Sequence, residues 1–173
     1  MLVSAFIGYA DGVSPVISYN YGSKNQKQLK RVIKDSAIFI LVLSVCMVVL
    51  CIVCAEPLIS IYTSKTKEPE LFGMVLDGMR IYPISFLFSG ISIFATRMFS
   101  ALANGKLSTT ISFVRNFLFI TIGFLTLPQL FGLTGVWLVQ PVAEFFSLLV
   151  ALACMYSQRN VYGYGTVKNA YEY

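Results

Sequence analysis

Two acids, Asp11 and Glu144, and two arginines, Arg97 and Arg115, stand inside apolar stretches of this 173-residue chain. A charge placed among hydrocarbon side chains must pair, reach out to water or face a wet cavity, so such residues mark either a structural bond or a path for ions and solutes. For Asp11 the alternatives are a hydrogen-bonded acid, an acid near the outer interface, and a direct part in transport. Glu144 is the one acid of the last apolar run; it forms a salt bridge to Arg97 or Arg115 or serves a pathway. Arg115 is expected to snorkel from near a helix end, whereas Arg97 lies deeper. Other chemistry finds little support. There is no histidine, which removes imidazole general bases and His metal sites. The run around Lys106 is no phosphate loop, because Ser100 stands where that motif needs glycine. Cys51 and Cys54 form a CxxC inside the most apolar segment, with Cys46 and Cys154 similarly placed, and packing is the expected role of all four. No nucleophile–base pair or carboxylate pair stands out, so an enzyme is not expected.

The elements that position these residues follow from composition. Hydrophobic residues make up 57% of the chain and charged residues 12%, with mean hydropathy +0.74, against about 25% charged in ordinary soluble domains. The expected fold is an all-α polytopic membrane helix bundle with about five transmembrane helices. Ala37 to Ala55, AIFILVLSVCMVVLCIVCA, has no charge and no proline and would reach about 28 Å as a helix, close to the hydrocarbon thickness. The predicted helices are 2–21, 37–62, 82–103, 109–127 and 134–156, with a tail over 157–173 that is rich in tyrosine and expected to be loose. The division between the last two helices is placed in LPQLFGLTG, punctuated by Pro128, Gly132 and Gly135. The opening helix is the weakest by hydropathy. Asp11, Pro15 and Asn20 interrupt it, and Gly8 and Gly12 form a GxxxG pair suited to helix contact.

Charge placement gives an independent topology. Lys24, Lys27, Lys30, Arg31, Lys34, Lys106, Arg159 and Lys168 fall on one side of such a bundle, and Lys65, Lys67 and Arg80 on the other. The basic side is expected to be cytoplasmic, which makes the chain a multi-pass protein of the cell membrane with its carboxyl terminus in the cytoplasm. The segment from Lys27 to Lys34 reads as a positive loop, or as a short helix on the membrane surface. Because topology accounts for the +5 net charge, no nucleic-acid partner is expected.

Three motifs then carry a family resemblance. DGVSPVISYNYGSKN resembles the G-x-x-P-x-x-x-x-x-x-G signature of the MATE (multidrug and toxic compound extrusion) transporters, here Gly12, Pro15 and Gly22. FSALANGKLSTTISFVRN is similar to that family's later Gly-Lys turn leading into a helix with an early arginine, here Gly105, Lys106 and Arg115. FGLTGVWLVQPVAEF resembles its last helix, with Gly132, Gly135, Trp137 and Pro141. The resemblance runs from about Ala5 to Tyr156. It implies a partial carboxy-terminal lobe of a two-lobe transporter, helices eight to twelve of twelve, with an amino-terminal lobe as the missing partner.

The same resemblance implies efflux of organic, often cationic, compounds in exchange for sodium ions or protons, with no cofactor. A lipophilic cation is held by aromatic faces and a carboxylate; the implied pathway residues are Asp11, Tyr19, Tyr82, Arg97, Gln140 and Glu144. A coupling acid that one branch carries in the tenth helix has no counterpart between Tyr82 and Ala103, so the coupling ion stays open. A lipid-linked oligosaccharide flippase of the wider superfamily would need more cationic residues than Arg97 and Arg115. A non-transporting fragment is the third expectation.

Overall fold

The computed structural model describes residues 2–62 and 69–165, and these residues are helical with short turns. Lys65, Lys67 and Lys168, used in the topology argument, lie outside the described residues. The first helix, α1 (Leu2–Gly22), runs through Pro15, and Phe6, Ala10, Ile17 and Asn20 form its buried face. A sharp turn follows in which Lys24 takes a left-handed φ of 57°. Asn25 then caps α2 (Gln26–Val53), its Oδ1 accepting a bond from the Gln28 amide at 3.2 Å. Both readings of this segment, a positive loop or a short surface helix, are therefore corrected: Lys27, Lys30, Arg31 and Lys34 occupy the first turns of α2 itself, which begins at Gln26 rather than at residue 37. Leu29, Ile33, Ser36, Ile40 and Ser44 are buried at helical spacing along it. Ile38, Leu41, Val42, Val45, Val49 and Val53 remain exposed around the rest of its circumference, as lipid-facing positions are.

The predicted helix 37–62 is also corrected. Helix α2 stops at Val53, and a separate short helix, α3 (Ala55–Tyr62), follows Cys54. Pro57 has no amide hydrogen to offer the Val53 carbonyl, so the ladder breaks there. The predicted helix 82–103 proves to be the second part of a bent rod: α4 (Pro69–Ile81), a 3-10 turn (Tyr82–Ile84) and α5 (Ser85–Ala101). Pro83 sits in the turn and causes the bend in the same way.

Helix α5 is the hub of the bundle, packing against α1, α2 and the helices that follow it. Phe94, Ala95, Met98 and Phe99 on it are fully buried. Gly90 lets α2 come close, since a Cβ there would lie 2.6 Å from Ser44 Oγ and 2.8 Å from Ile40 Cγ2. After α5 the earlier turn is used again. Ala103 has φ 60°, and Asn104 caps α6 (Gly105–Phe113) by accepting the Leu107 amide at 3.1 Å. The helix then widens into a π segment (Val114–Leu118) and continues as α7 (Phe119–Gln158).

Within α7 the backbone reverses at Gly132 (φ 57°, ψ −133°), dividing it into rods 119–131 and 133–158. They lie antiparallel: Gly123 abuts Val139, Gly135 abuts the Leu127 carbonyl, and the Phe119 and Phe146 rings are 5.7 Å apart. The predicted limits 109–127 and 134–156 thus move to 105–131 and 133–158. Pro128 and Gly135 are accommodated inside helix, and Gly132 alone makes the break.

Among the described residues, three continuous stretches can cross a membrane by length and composition: Gln26–Val53, Phe72–Ala101 and Gly105–Gln158, the last folded back on itself. Helix α1 completes five rods, although its polar residues keep it outside that apolar class. The expectation of a loose tail is corrected for residues 159–165. Tyr162 accepts a 2.7 Å bond from Asn104 Nδ2 and packs on Tyr21 and Phe99, and the Tyr164 hydroxyl donates to the Met155 carbonyl at 2.8 Å. These contacts gather the ends of α1, α5 and α7 and the start of α6 at one end of the bundle. Burial beside Tyr162 and Cys154 pushes the Tyr164 phenol up to about 12.

Candidate functional site

Each of the four charges that stood in apolar sequence has a partner. The π segment places Arg115 opposite Glu144 on rod 133–158, where the two form a fork: Nη2 donates to Oε1 at 2.7 Å and Nε to Oε2 at 2.9 Å. Glu144 is 3% exposed. Gln140 Nε2 donates to its Oε1 at 3.3 Å, and Ser92 Oγ lies 3.3 Å from its Oε2, its one proton shared with the nearer Ser89 carbonyl at 3.0 Å. Both carboxylate oxygens thus have donors against them, with the guanidinium charge in direct contact. The expectation that Arg115 snorkels outward is overturned, because the extra residue of the π turn rotates it inward. Of the two partners considered for Glu144, the structure selects Arg115.

The second pair is more open. Arg97 Nε lies 3.1 Å from Asp11 Oδ1, with side chains 44% and 50% exposed. Pro15 lies one turn further along α1, and Ser18 on the same helix donates to the Ala101 carbonyl at 2.8 Å, pinning α1 to the end of α5. Pro15, Gly12 and Gly22 are exposed, and a Cβ on Gly8, Gly12 or Gly22 would meet nothing within 4 Å. The helix contact expected for the GxxxG pair is therefore not made with the described residues of this chain. Instead Gly8, Asp11, Gly12, Pro15 and Tyr19 form one continuous exposed face of α1.

The remaining candidates separate. Tyr19 is 75% exposed on that face. Tyr82, in the 3-10 turn, meets Phe86 edge-on at 6.0 Å. Gln140 belongs to the Glu144 network, and Pro141 is buried beside it on the same helix. Gly105 begins α6, exposed beside Lys106. Thus Arg115, Glu144 and Gln140 come together, Asp11 and Arg97 come together, and neither tyrosine side chain hydrogen-bonds to either group. Sequence reasoning missed Ser92, whose hydroxyl reaches Glu144, and Asn104, which serves both cap and tail. An asparagine directly before a Gly-Lys helix start was the available signal for the second.

Between the two pairs lies a cleft of about 370 Å³, lined by Val3 and Ile7 of α1, Ile93, Thr96 and Arg97 of α5, Ser108 and Ser112 of α6, and Arg115 and Asn116 of the π segment.

Comparison with known proteins adds the family. The MatE family profile matches residues 1–125. The chain is 30% identical over 155 residues to the multidrug export protein MepA of Staphylococcus haemolyticus, covering 89% of this chain and 33% of that one. It is 28% identical over 154 residues to MepA of Staphylococcus aureus (strain MRSA252), again covering 89% and 33%. It therefore spans about a third of the length of the curated relatives it matches. Among solved structures, the Vibrio cholerae MATE transporter VcmN superposes with TM-score 0.82 at 22% identity, covering 94% of this chain and 37% of that one. An inward-facing multidrug resistance MATE transporter gives TM-score 0.86 at 15% identity, covering 96% and 38%. With the profile spanning most of the chain and the helices superposing on solved members, the chain belongs to the MatE family of membrane transporters.

Proposed function

We propose that the chain works as part of a secondary active exporter, an antiporter that moves organic compounds, often cationic, out of the cell in exchange for sodium ions or protons. Family membership carries this reading, and the relatives named multidrug export proteins support it. The exposed α1 face, with Asp11, Gly12, Pro15 and Tyr19 and no covering helix among the described residues, is where a complementary amino-terminal lobe would close a pathway. The end bearing Lys24, Lys27, Lys106, Arg159 and the docked tail is the cytoplasmic one, by the preference of lysine and arginine for that side. Asp11 is the accessible acid; Glu144 acts by holding Arg115 and two helices in register.

Efflux of a fluorescent organic cation from cells producing the protein tests the reading. Asp11→Asn is expected to slow efflux while leaving expression unchanged. Efflux no faster than in cells lacking the protein would refute transport, and unaltered efflux in Asp11→Asn would remove Asp11 from the pathway. Collapsing the sodium and proton gradients separately identifies the coupling ion.

A further inference from the structure

The cleft between α1, α5 and α6 is rich in hydrogen-bond donors, and each of its two arginines is paired with an acid on one edge only. Its lining includes two guanidinium groups, one amide and three hydroxyls, and no carboxylate. We propose that it is a binding site for an organic anion, a carboxylate or phosphate group borne on an apolar body. The inference rests on the transport reading for its role, since such a site extends the substrate class from cations to zwitterions and anions; the binding itself does not depend on it.

The donor geometry supports this assignment. A guanidinium carries five N–H donors in a planar fork. Arg97 is engaged through Nε alone, in one 3.1 Å contact with Asp11, so both its terminal amino groups are free of recorded partners among the described residues. Arg115 gives Nε and Nη2 to Glu144 and keeps Nη1. Ser108, Ser112 and Asn116 make no side-chain hydrogen bond among the described residues, so their polar atoms can also turn to a ligand. Thr96 donates to the Ser92 carbonyl at 3.0 Å and is committed. Val3, Ile7 and Ile93 supply an apolar wall. A planar carboxylate can take the outer edge of Arg97 bidentately, the arrangement that fits guanidinium best. The volume lies within the range of small-molecule sites, about 300–1,000 Å³.

Asp11 is then the internal competitor. It neutralises Arg97 in the empty site, and an incoming anion shares or displaces it. Removing the aspartate and removing the arginine must therefore act in opposite directions, which a merely structural ion pair would not do.

The test uses three naphthalene probes of one size, carrying a carboxylate, a hydroxymethyl or a methylammonium group. Binding to the purified protein in lipid nanodiscs is measured by calorimetry. The carboxylate is expected to bind best. Arg97→Gln should weaken it about tenfold, the loss expected for one charged hydrogen-bonded contact. Arg97→Lys should recover part of that loss, and Asp11→Asn should tighten binding several-fold. Thermal melting of each variant establishes that it is folded, and Asp11→Asn carries the test should Arg97→Gln fail to fold. Equal binding of all three probes, preference for the ammonium, or unchanged affinity in both variants overturns the proposal.

Nanodiscs of phosphatidylcholine with and without phosphatidylglycerol distinguish the source of the anion. Competition by phosphatidylglycerol identifies a lipid headgroup, and its absence identifies a soluble anion. Cation efflux by the wild type without carboxylate binding would sink this inference alone, whereas carboxylate binding without efflux would sink the transport reading alone.

Discussion

Arg115 Nη2 lies 2.7 Å from Glu144 Oε1 across the interface between the π segment and rod 133–158, and the two side chains are 14% and 4% exposed. Two opposite charges so nearly sealed from water depend on each other. The attraction roughly offsets the cost of desolvating both, but neither can be left alone.

Glu144→Ala or Arg115→Ala alone is therefore expected to destabilise the bundle by about 3–5 kcal/mol, because each strands one buried charge. The double variant Arg115→Ala with Glu144→Ala should lose much less than the sum of the two single losses. Thermal melting in detergent across this double-mutant cycle checks the coupling; additive losses would show that the fork contributes nothing as a unit.

Glycines in the same chain should respond differently. Gly90→Ala forces a methyl against Ser44 Oγ and Ile40 Cγ2, and an overpacked core contact costs about 1–3 kcal/mol. Ser44→Ala in the same protein should return part of the loss. Gly12→Ala meets open space and should leave the stability of the purified chain unchanged or slightly raised. Melting temperatures of the four proteins decide the point.

Asn104 holds two structures at once, the start of α6 through Leu107 and the tail through Tyr162. Tyr162→Phe removes only the tail bond. Asn104→Ala removes the cap as well and should cost about 1 kcal/mol more. Protease cleavage of the tail should accelerate in both variants, and melting of the bundle should fall further in Asn104→Ala.

The Tyr164 phenol, pushed up to about 12 in the folded protein, is held neutral by burial against a usual value near 10. Its neutral form is thus the one the docked tail favours. The associated stability is fully present below pH 10 and falls as pH rises from 10 towards 12. Ultraviolet titration of the wild type minus that of Tyr164→Phe should show one phenol ionising near 12. A difference midpoint near 10 would mean that the tail is not docked in solution.

Much of this arrangement was legible in the chain. Unbroken apolar runs gave α2 and the last two rods, and the isolated charges pointed to a bond from Glu144 to Arg97 or Arg115, while the Asp11–Arg97 pair was not anticipated. Which acid met which arginine was not legible, because the choice depends on a π turn at Val114–Leu118. A single extra residue in one turn leaves no mark in hydropathy, yet it changes the face on which Arg115 stands. Helix limits failed where proline acted one turn away, as Pro57 did on Val53. The docking of Tyr162 could not be anticipated, since it depends on ends brought together by the whole bundle. The exposed Gly8 and Gly12 show the converse limit. Their spacing announces a close neighbour, and that neighbour is absent from the described residues.

The reversal at Gly132 also bears on how the protein is made. Phe119 and Phe146 meet across a short excursion of chain, so this hairpin can close while the ribosome is still extending, at little entropic cost. Arg115 and Glu144 sit on its two arms. They can enter the bilayer already joined, and neither has to cross hydrocarbon as a lone ion.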